Sequence, residues 1–360
     1  MERVPAVVLT AIDPILRDTA LMCLLGDIPD AVALRYDMVH DEDLTARRLT
    51  MTASGVVEDV VVHLNHVCPT CGVNEDVASA AATAIDTTGA RCAIIAVPIG
   101  APSHSTSKVL AAADRIRLAA VVSACDTDRF LVDLLGDDLL SERDLHLFEG
   151  DERAVGQALA TQVCHADIVL TAQRYPQSVG SELLDHVRAP DSHRVDAFTG
   201  VDLSRIVDHE HHVDDARRRM DPLCSLDVPP RGTSHVWSLT LTSDRPFHPQ
   251  RLRENLATLA LSNTYNRGYF WLPTRPFTAC AWEGVGGQLS IGTIRDWGND
   301  SPTTRLTFTG TDPGARNDLI EAFDASLLTA AEALAGPGSW MDLVDDYDPW
   351  LGPRSSDGKG

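Results

Sequence analysis

Lysine is nearly absent from this chain of 360 residues: Lys108 and Lys359 are the only two. Aromatic residues are scarce at 5%, and no apolar run approaches the ~18–20 residues that span a bilayer. Basic residues number 30 against 52 acidic ones, a formal charge of −22. Each shortage excludes a class of function. A polyanion without a basic surface does not neutralise nucleic-acid phosphates, so free DNA is not an expected partner. Without an apolar span, no membrane association is expected. The lysine shortage bears on nucleotides, because a phosphate-cradling loop, G-x-x-x-x-G-K-[ST], needs a lysine behind a glycine-rich turn. Lys108 follows Ser105-Thr106-Ser107 with no such turn before it. The N-terminus, Met1-Glu2-Arg3-Val4-Pro5, has none of the features of a secretory leader, and the expected location is cytoplasmic. The eight thinly spread cysteines fit reduced thiols better than a disulfide framework, with Cys92 and Cys125 inside apolar runs.

What is present is an alternation of apolar strands and helical patterns over the first half. Strands are expected at 4–10, 56–64, 91–98, 118–124 and 166–171, with helices at 13–25, 74–85, 108–118 and 152–164. Continuous β-branched runs between helices predict an α/β domain over 1–200 whose mainly parallel sheet is covered on both faces. From about Thr199 to Ser234 the chain turns polar and is broken by Pro222, Pro229, Pro230 and Gly232, which predicts a linker over 201–233. Strands at 235–242, 268–273, 278–283, 289–293 and 305–310, with helices at 248–260 and 315–327, predict a smaller α+β domain over 234–335. An acidic-aromatic tail, 336–360, completes the chain, and its Trp340–Leu351 stretch reads as docking back on its own domain. The acidity is uneven: residues 1–234 hold 37 acidic and 20 basic side chains, whereas 235–335 hold 10 and 8.

Two clusters carry metal-like chemistry. His63-Leu64-Asn65-His66-Val67-Cys68-Pro69-Thr70-Cys71 closes a strand and opens a helix. Its C-x-x-C spacing lets two thiolates hold one ion, and His63 and His66 can complete four ligands, a set suited to zinc. The same motif also reads as a redox pair with a lowered thiol pKa at a helix N-terminus, or as having no special role. The second cluster, His209-Glu210-His211-His212, lies in the expected linker, where it is either a weak metal-capturing tract or an ordinary solvated segment.

The second domain resembles the C-terminal domain of CobW-type proteins. The match runs through Arg245-Pro246-Phe247-His248-Pro249, Arg251-Leu252, Gly268-Tyr269-Phe270-Trp271-Leu272 and Thr274-Arg275-Pro276. It continues at Trp282, Gly286-Gly287, Leu289, Phe308-Thr309-Gly310, Asp324 and Leu327-Leu328-Thr329. The resemblance implies a first domain of P-loop GTPase type with a C-x-C-C metal motif, and a metal-chaperone role. Cys68 and Cys71 match the outer cysteines of that motif, Thr70 replaces the middle one, and His63 stands where a carboxylate is expected. The nucleotide elements depart from the pattern. The first strand-to-helix turn reads Leu9-Thr10-Ala11-Ile12-Asp13-Pro14-Ile15-Leu16-Arg17, with no glycine and no lysine. Ala96-Val97-Pro98-Ile99-Gly100 lacks the acidic residue, and Thr171-Ala172-Gln173-Arg174 stands in place of N-K-x-D. The expectation is a degenerate P-loop-type domain without bound nucleotide and without enzymatic activity. Within the family, this combination resembles the actinobacterial zinc-responsive recruitment factors. That implies a non-enzymatic protein bringing a hibernation-promoting factor to the small ribosomal subunit when zinc is scarce. The alternative is a zinc metallochaperone that binds GTP.

Overall fold

The computed structural model describes residues 3–40, 44–64, 69–175, 177–197, 200–224, 235–260, 263–340 and 343–354. The chain divides into two units, Met1–Asp133 with Asp138–Met220 and Asp221–Gly360 with Leu134–Asp137.

In the first unit a central strand, β1 (Val4–Ala11), sends alternate side chains to opposite sides, as the two-residue period of a strand requires. Ala6 and Val8 enter one apolar core, and Val7, Leu9 and Ala11 enter the other. Chain order continues α1 (Pro14–Asp27), β2 (Ala31–His40), β3 (Leu44–Thr52), β4 (Gly55–His63), α2 (Pro69–Thr88), β5 (Cys92–Ala96), α3 (His104–Ala112) and β6 (Ile116–Asp126). It is completed by α4 (Phe130–Leu135), α5 (Val155–His165), β7 (Ile168–Ala172), α6 (Val179–Val187), β8 (His193–Asp196) and α7 (Val213–Met220). The eight strands form one sheet in the order β4-β3-β2-β5-β1-β6-β7-β8. Six are mutually parallel, and β3 and β4 extend the β2 edge antiparallel. The mainly parallel α/β sheet expected from the sequence is present, with α2 and α3 over one core and α1 over the other.

Three local expectations are corrected. β2 and β3 are additional strands, without a clear sequence signal because Arg35, Arg47 and Arg48 interrupt their apolar pattern. Folding gives each arginine a carboxylate: Asp18 and Asp37 for Arg35, Asp59 for Arg47, Asp76 and Glu58 for Arg48. The helix expected at 108–118 is α3, which ends at Ala112 because Ile116 already belongs to β6. The expected linker is not one open tether. A 3-10 turn at Ser204–Asp208 and α7 pack on the first unit, where Arg117 donates to the carbonyls of Val207 and His209 at 2.8 Å each. Residues 225–233 of that expected linker lie outside the described residues.

The second unit is an antiparallel five-stranded sheet, order β12-β11-β10-β13-β9. Its strands are β9 (Trp237–Ser243), β10 (Thr264–Phe270), β11 (Thr278–Val285), β12 (Gln288–Asp296) and β13 (Thr304–Gly310). Helices α8 (Pro249–Ala260) and α9 (Ala315–Ser326) cover it, followed by short helices α10 (Ala330–Ala335), α11 (Pro337–Trp340) and α12 (Asp348–Leu351). Phe247, Phe270, Trp282 and Phe308 are fully buried between sheet and helices, which makes these motif aromatics core residues. The Trp282 indole donates to Asn266 Oδ1 at 2.7 Å, and Gly284 lies so close to that amide that a Cβ would sit 2.2 Å from it.

Tail residues dock on this unit. Arg275, whose side chain is 4% exposed, pairs with the fully buried Asp345 at 3.0 Å and with Asp348. It also donates to the carbonyl of Gly352 at 2.6 Å, while Tyr347 and Leu351 enter the core.

Candidate functional site

Open parallel sheets bind ligands in the crevice beyond the carboxyl ends of their strands, and in the first unit that edge lies at the β1–α1 turn. Between β1 and α1 stand only Ile12 and Asp13. Asp13 is the N-cap, its carboxylate accepting from the Leu16 N–H at 2.9 Å, and Pro14 takes the first helical position. A carboxylate thus takes one of the N–H groups, and places its negative charge, where an anion would otherwise be received. The carbonyl of Ala11 is taken by the Gly100 N–H at 3.2 Å and by Gln162 Nε2 at 3.4 Å. The cavity left there holds about 170 Å³, below the usual ~300–1,000 Å³ of small-molecule sites. Arg17 and Asp37 line it, but the buried Arg17 is committed to Asp18, Asp37 and the Tyr36 carbonyl. At the end of β7, Thr171 Oγ1 donates to Asp196 at 2.6 Å and Gln173 accepts from Arg194 at 3.2 Å.

The cysteine–histidine motif joins β4 to α2. His63 is the last residue of β4 and is exposed; Cys71 is exposed in the first turn of α2. His66 and Cys68 lie outside the described residues. What brings the two ends of the motif together is glycine. A Cβ on Gly72 would lie 2.6 Å from the Leu64 Cβ, so only glycine lets the helix start this close to the strand end. Leu64 in turn donates its N–H to Leu44 O at 2.9 Å and packs against the α2 core. The sequence neighbours of this contact are His63 and Cys71. Both are exposed, and imidazole and sulfur are donor types that zinc accepts. By contrast, burial pushes the Cys92 and Cys125 thiols up to about 12, leaving them inert packing residues.

The second histidine cluster does not form a converging ligand set. His211 is buried, with Nδ1 2.7 Å from Asp167 Oδ2, while His212 is exposed and His209 Nε2 stands 4.0 Å from Asp167 Oδ1. Among the described residues, no group of three or more His, Cys, Asp and Glu side chains is arranged to hold a metal. The segment instead fastens α7 to the first unit, with Arg219 reaching Asp167 at 3.0 Å and Asp191 at 2.7 Å.

This clasp contains residues that sequence reasoning passed over. His165, at the end of α5, has Nδ1 2.8 Å from Ser103 Oγ, and its ring lies 5.7 Å from that of His211. Burial, reinforced by the neighbouring His211, lowers the His165 pKa to about 3. The only sequence signal is a His-x-Asp pair just before an apolar strand. The linkage is definite in sign. The unfolded chain takes up this proton near pH 6.5 and the folded chain does not, so stability falls as pH drops from about 6.5 toward 3. His165 should contribute about 2 kcal/mol of destabilisation between pH 7 and pH 5. Asp167, lowered to about 2 by its His211 hydrogen bond against the cost of burial, acts in the same sense but in a lower pH window. Its contribution is present above about pH 4 and is lost only as pH falls toward 2. Urea midpoints at pH 7 and 5 check this; an unchanged pH slope in His165→Gln would refute it.

Comparison with known proteins bears on both units. Residues 236–327 match the cobalamin synthesis protein CobW C-terminal domain. The match covers the antiparallel sheet, α8 and α9, and coincides with the motifs that suggested the resemblance. Across a longer stretch the chain is 27% identical to the zinc chaperone Rv0106 of Mycobacterium tuberculosis, covering 65% of this chain and 62% of that protein. It aligns equally with an uncharacterized protein of Mycobacterium bovis. The chain spans about three fifths of the length of these curated relatives. Among solved structures, a Zn(II)-bound triple mutant of the YjiA GTPase aligns over 91% of this chain and 99% of that one, at 14% identity and a TM-score of 0.38. The antiparallel second unit thus carries the match to the CobW C-terminal domain. Among the described residues of either unit, no helix is long and apolar enough to cross a membrane.

Proposed function

We propose that this chain is a zinc-responsive binding protein that hydrolyses no nucleotide. In the finer form of the proposal, it brings a hibernation-promoting factor to the small ribosomal subunit when zinc is limiting. The observation that carries the first statement is the capped turn between β1 and α1. Asp13 fills the helix N-terminus, and the adjoining cavity of about 170 Å³ has no uncommitted cation on its wall in Arg17. Phosphoryl transfer depends on positioning and charge neutralisation, and this edge supplies neither. The zinc part is supported by the exposed His63 and Cys71 around the Gly72–Leu64 contact and by the zinc-chaperone relative. The ribosomal part rests on resemblance to the recruitment-factor branch, and the acidity of residues 1–234 agrees with basic protein partners.

Cys68, Cys71, His66 and His63 would hold the ion. Zinc at such a site supplies on the order of 10–16 kcal/mol of apparent binding energy, ample to hold one loop conformation. The protein's own contribution is the close packing of α2 on Leu64, which transmits a change in the loop to the end of β4. The test is co-sedimentation with small ribosomal subunits and the factor, comparing wild type with Cys68→Ala/Cys71→Ala, each with zinc chelated or supplied. Wild type should associate under chelation and release with zinc, whereas the double variant should associate in both. Identical behaviour of all four samples would remove zinc sensing.

The name of the Mycobacterium tuberculosis relative favours a second reading, a zinc metallochaperone of CobW type. Calorimetry with GTP and magnesium separates the two, since saturable micromolar binding would promote the chaperone reading.

A further inference from the structure

β4 ends the eight-stranded sheet, and among the described residues it pairs only with β3. It is nine residues long, and Val56, Val57 and Val61 are 61%, 51% and 59% exposed. A long apolar edge is a ready template for another strand, and folded proteins commonly blunt such edges with lysine, proline or a short strand. β4 has no lysine and no proline and is not short, although its pairing with β3 shifts register at Val57. Its two charged residues, Glu58 and Asp59, are both acidic, and it runs directly into the cysteine–histidine loop at His63.

We propose that β4 is the docking edge for an extended, cation-rich segment of the protein partner, which adds to the sheet as a ninth strand. The inference rests on the reading above that the chain is a binding protein. Backbone hydrogen bonds along the edge supply affinity, and the exposed valines select apolar residues at alternating positions of the incoming strand. Charge selects against a second copy. Two β4 strands meeting antiparallel with full overlap set Glu58 and Asp59 of one beside the same pair of the other, and like charges across strands are destabilising. A lysine or arginine in a foreign strand, whose backbone would lie about 4.8 Å from that of β4, would instead reach these carboxylates from the open side. Arg47 and Arg48, which pair with them at 2.6 and 3.0 Å, reach them from β3, the adjacent strand on the covered side. The excess of 37 acidic over 20 basic residues in 1–234 steers the same kind of partner toward this unit. Because the edge and the loop share His63, rearrangement of the loop would reach the docking strand directly.

The experiment uses the full chain with zinc chelated, small ribosomal subunits and the hibernation factor. Association is read by co-sedimentation, and β4 by amide hydrogen exchange over residues 56–63. In wild type these amides should gain protection on association. Val57→Lys/Val61→Lys should keep its circular dichroism and zinc affinity while losing about tenfold or more in association. Val57→Glu/Val61→Glu, which disrupts the apolar edge equally, should lose several-fold less. Undiminished association of the lysine variant with unprotected β4 amides overturns the inference and leaves the functional reading standing. Equal losses in both variants overturn the cationic character of the partner. Protection that appears on self-association without partner overturns the choice of occupant, and wild type that never associates overturns the functional reading and this inference with it.

Discussion

Arg275→Met should lower the unfolding free energy of the second unit by about 3–5 kcal/mol, the usual penalty for orphaning one member of a buried ion pair. Arg275 is 4% exposed and holds Asp345, Asp348 and the carbonyls of Leu351 and Gly352 together. Without it, the fully buried Asp345 carboxylate keeps only the Thr274 hydroxyl at 2.5 Å and the Tyr347 N–H at 3.0 Å. Tyr347 and Leu351 should leave the core with the tail. Urea unfolding followed by tryptophan emission measures the loss, since Trp282 lies in the same core. A cycle with Asp345→Leu isolates the pair: the double variant should recover part of the loss, because no unpaired charge stays buried. A change within about 0.5 kcal/mol for Arg275→Met would show that the tail does not dock in solution.

Zinc affinity should fall by several orders of magnitude in Cys68→Ala/Cys71→Ala, because two imidazoles alone do not replace two thiolates. A more discriminating variant is Gly72→Ala, which removes no ligand. Its Cβ would sit 2.6 Å from the Leu64 Cβ, so α2 must move away from the strand end at a cost of about 1–3 kcal/mol. Zinc binding should weaken by about 10–100-fold, the range typical of lost ligand support. Competition against a chromophoric chelator reads both variants. Wild-type affinity in Gly72→Ala would separate the metal site from the strand–helix contact.

β1, β5, β6 and β7 are legible in the sequence because buried parallel strands are continuous apolar runs between helices. The second unit is legible through Phe247, Phe270, Trp282 and Phe308, whose spacing follows its strands and helices. β2 and β3 are hidden because a strand carrying Arg35, Arg47 and Arg48 looks like a polar loop until its carboxylate partners are known. Those partners lie 10 to 28 positions away for Arg47 and Arg48, beyond any local pattern. α7 is hidden for the same reason, since its Arg217-Arg218-Arg219 run has the composition of a solvated tether. Arg219 in fact reaches Asp167, 52 positions earlier. In the metal motif the donor types are plain, but the glycine that presses α2 against Leu64 is not.

Residue order alone determined the class of the sheet, the chemistry of the sulfur and imidazole donors, and the lack of a lysine behind a glycine turn. Those properties depend on side-chain type and on neighbours a few positions apart. Only the tertiary structure decided that Asp13 caps α1 and that His211 is spent on Asp167. It also decided that the valines of β4 face solvent at a sheet edge. Each of these is a question of which distant group arrives at a given atom, and a burial or a hydrogen bond between remote positions leaves no periodic trace in the chain.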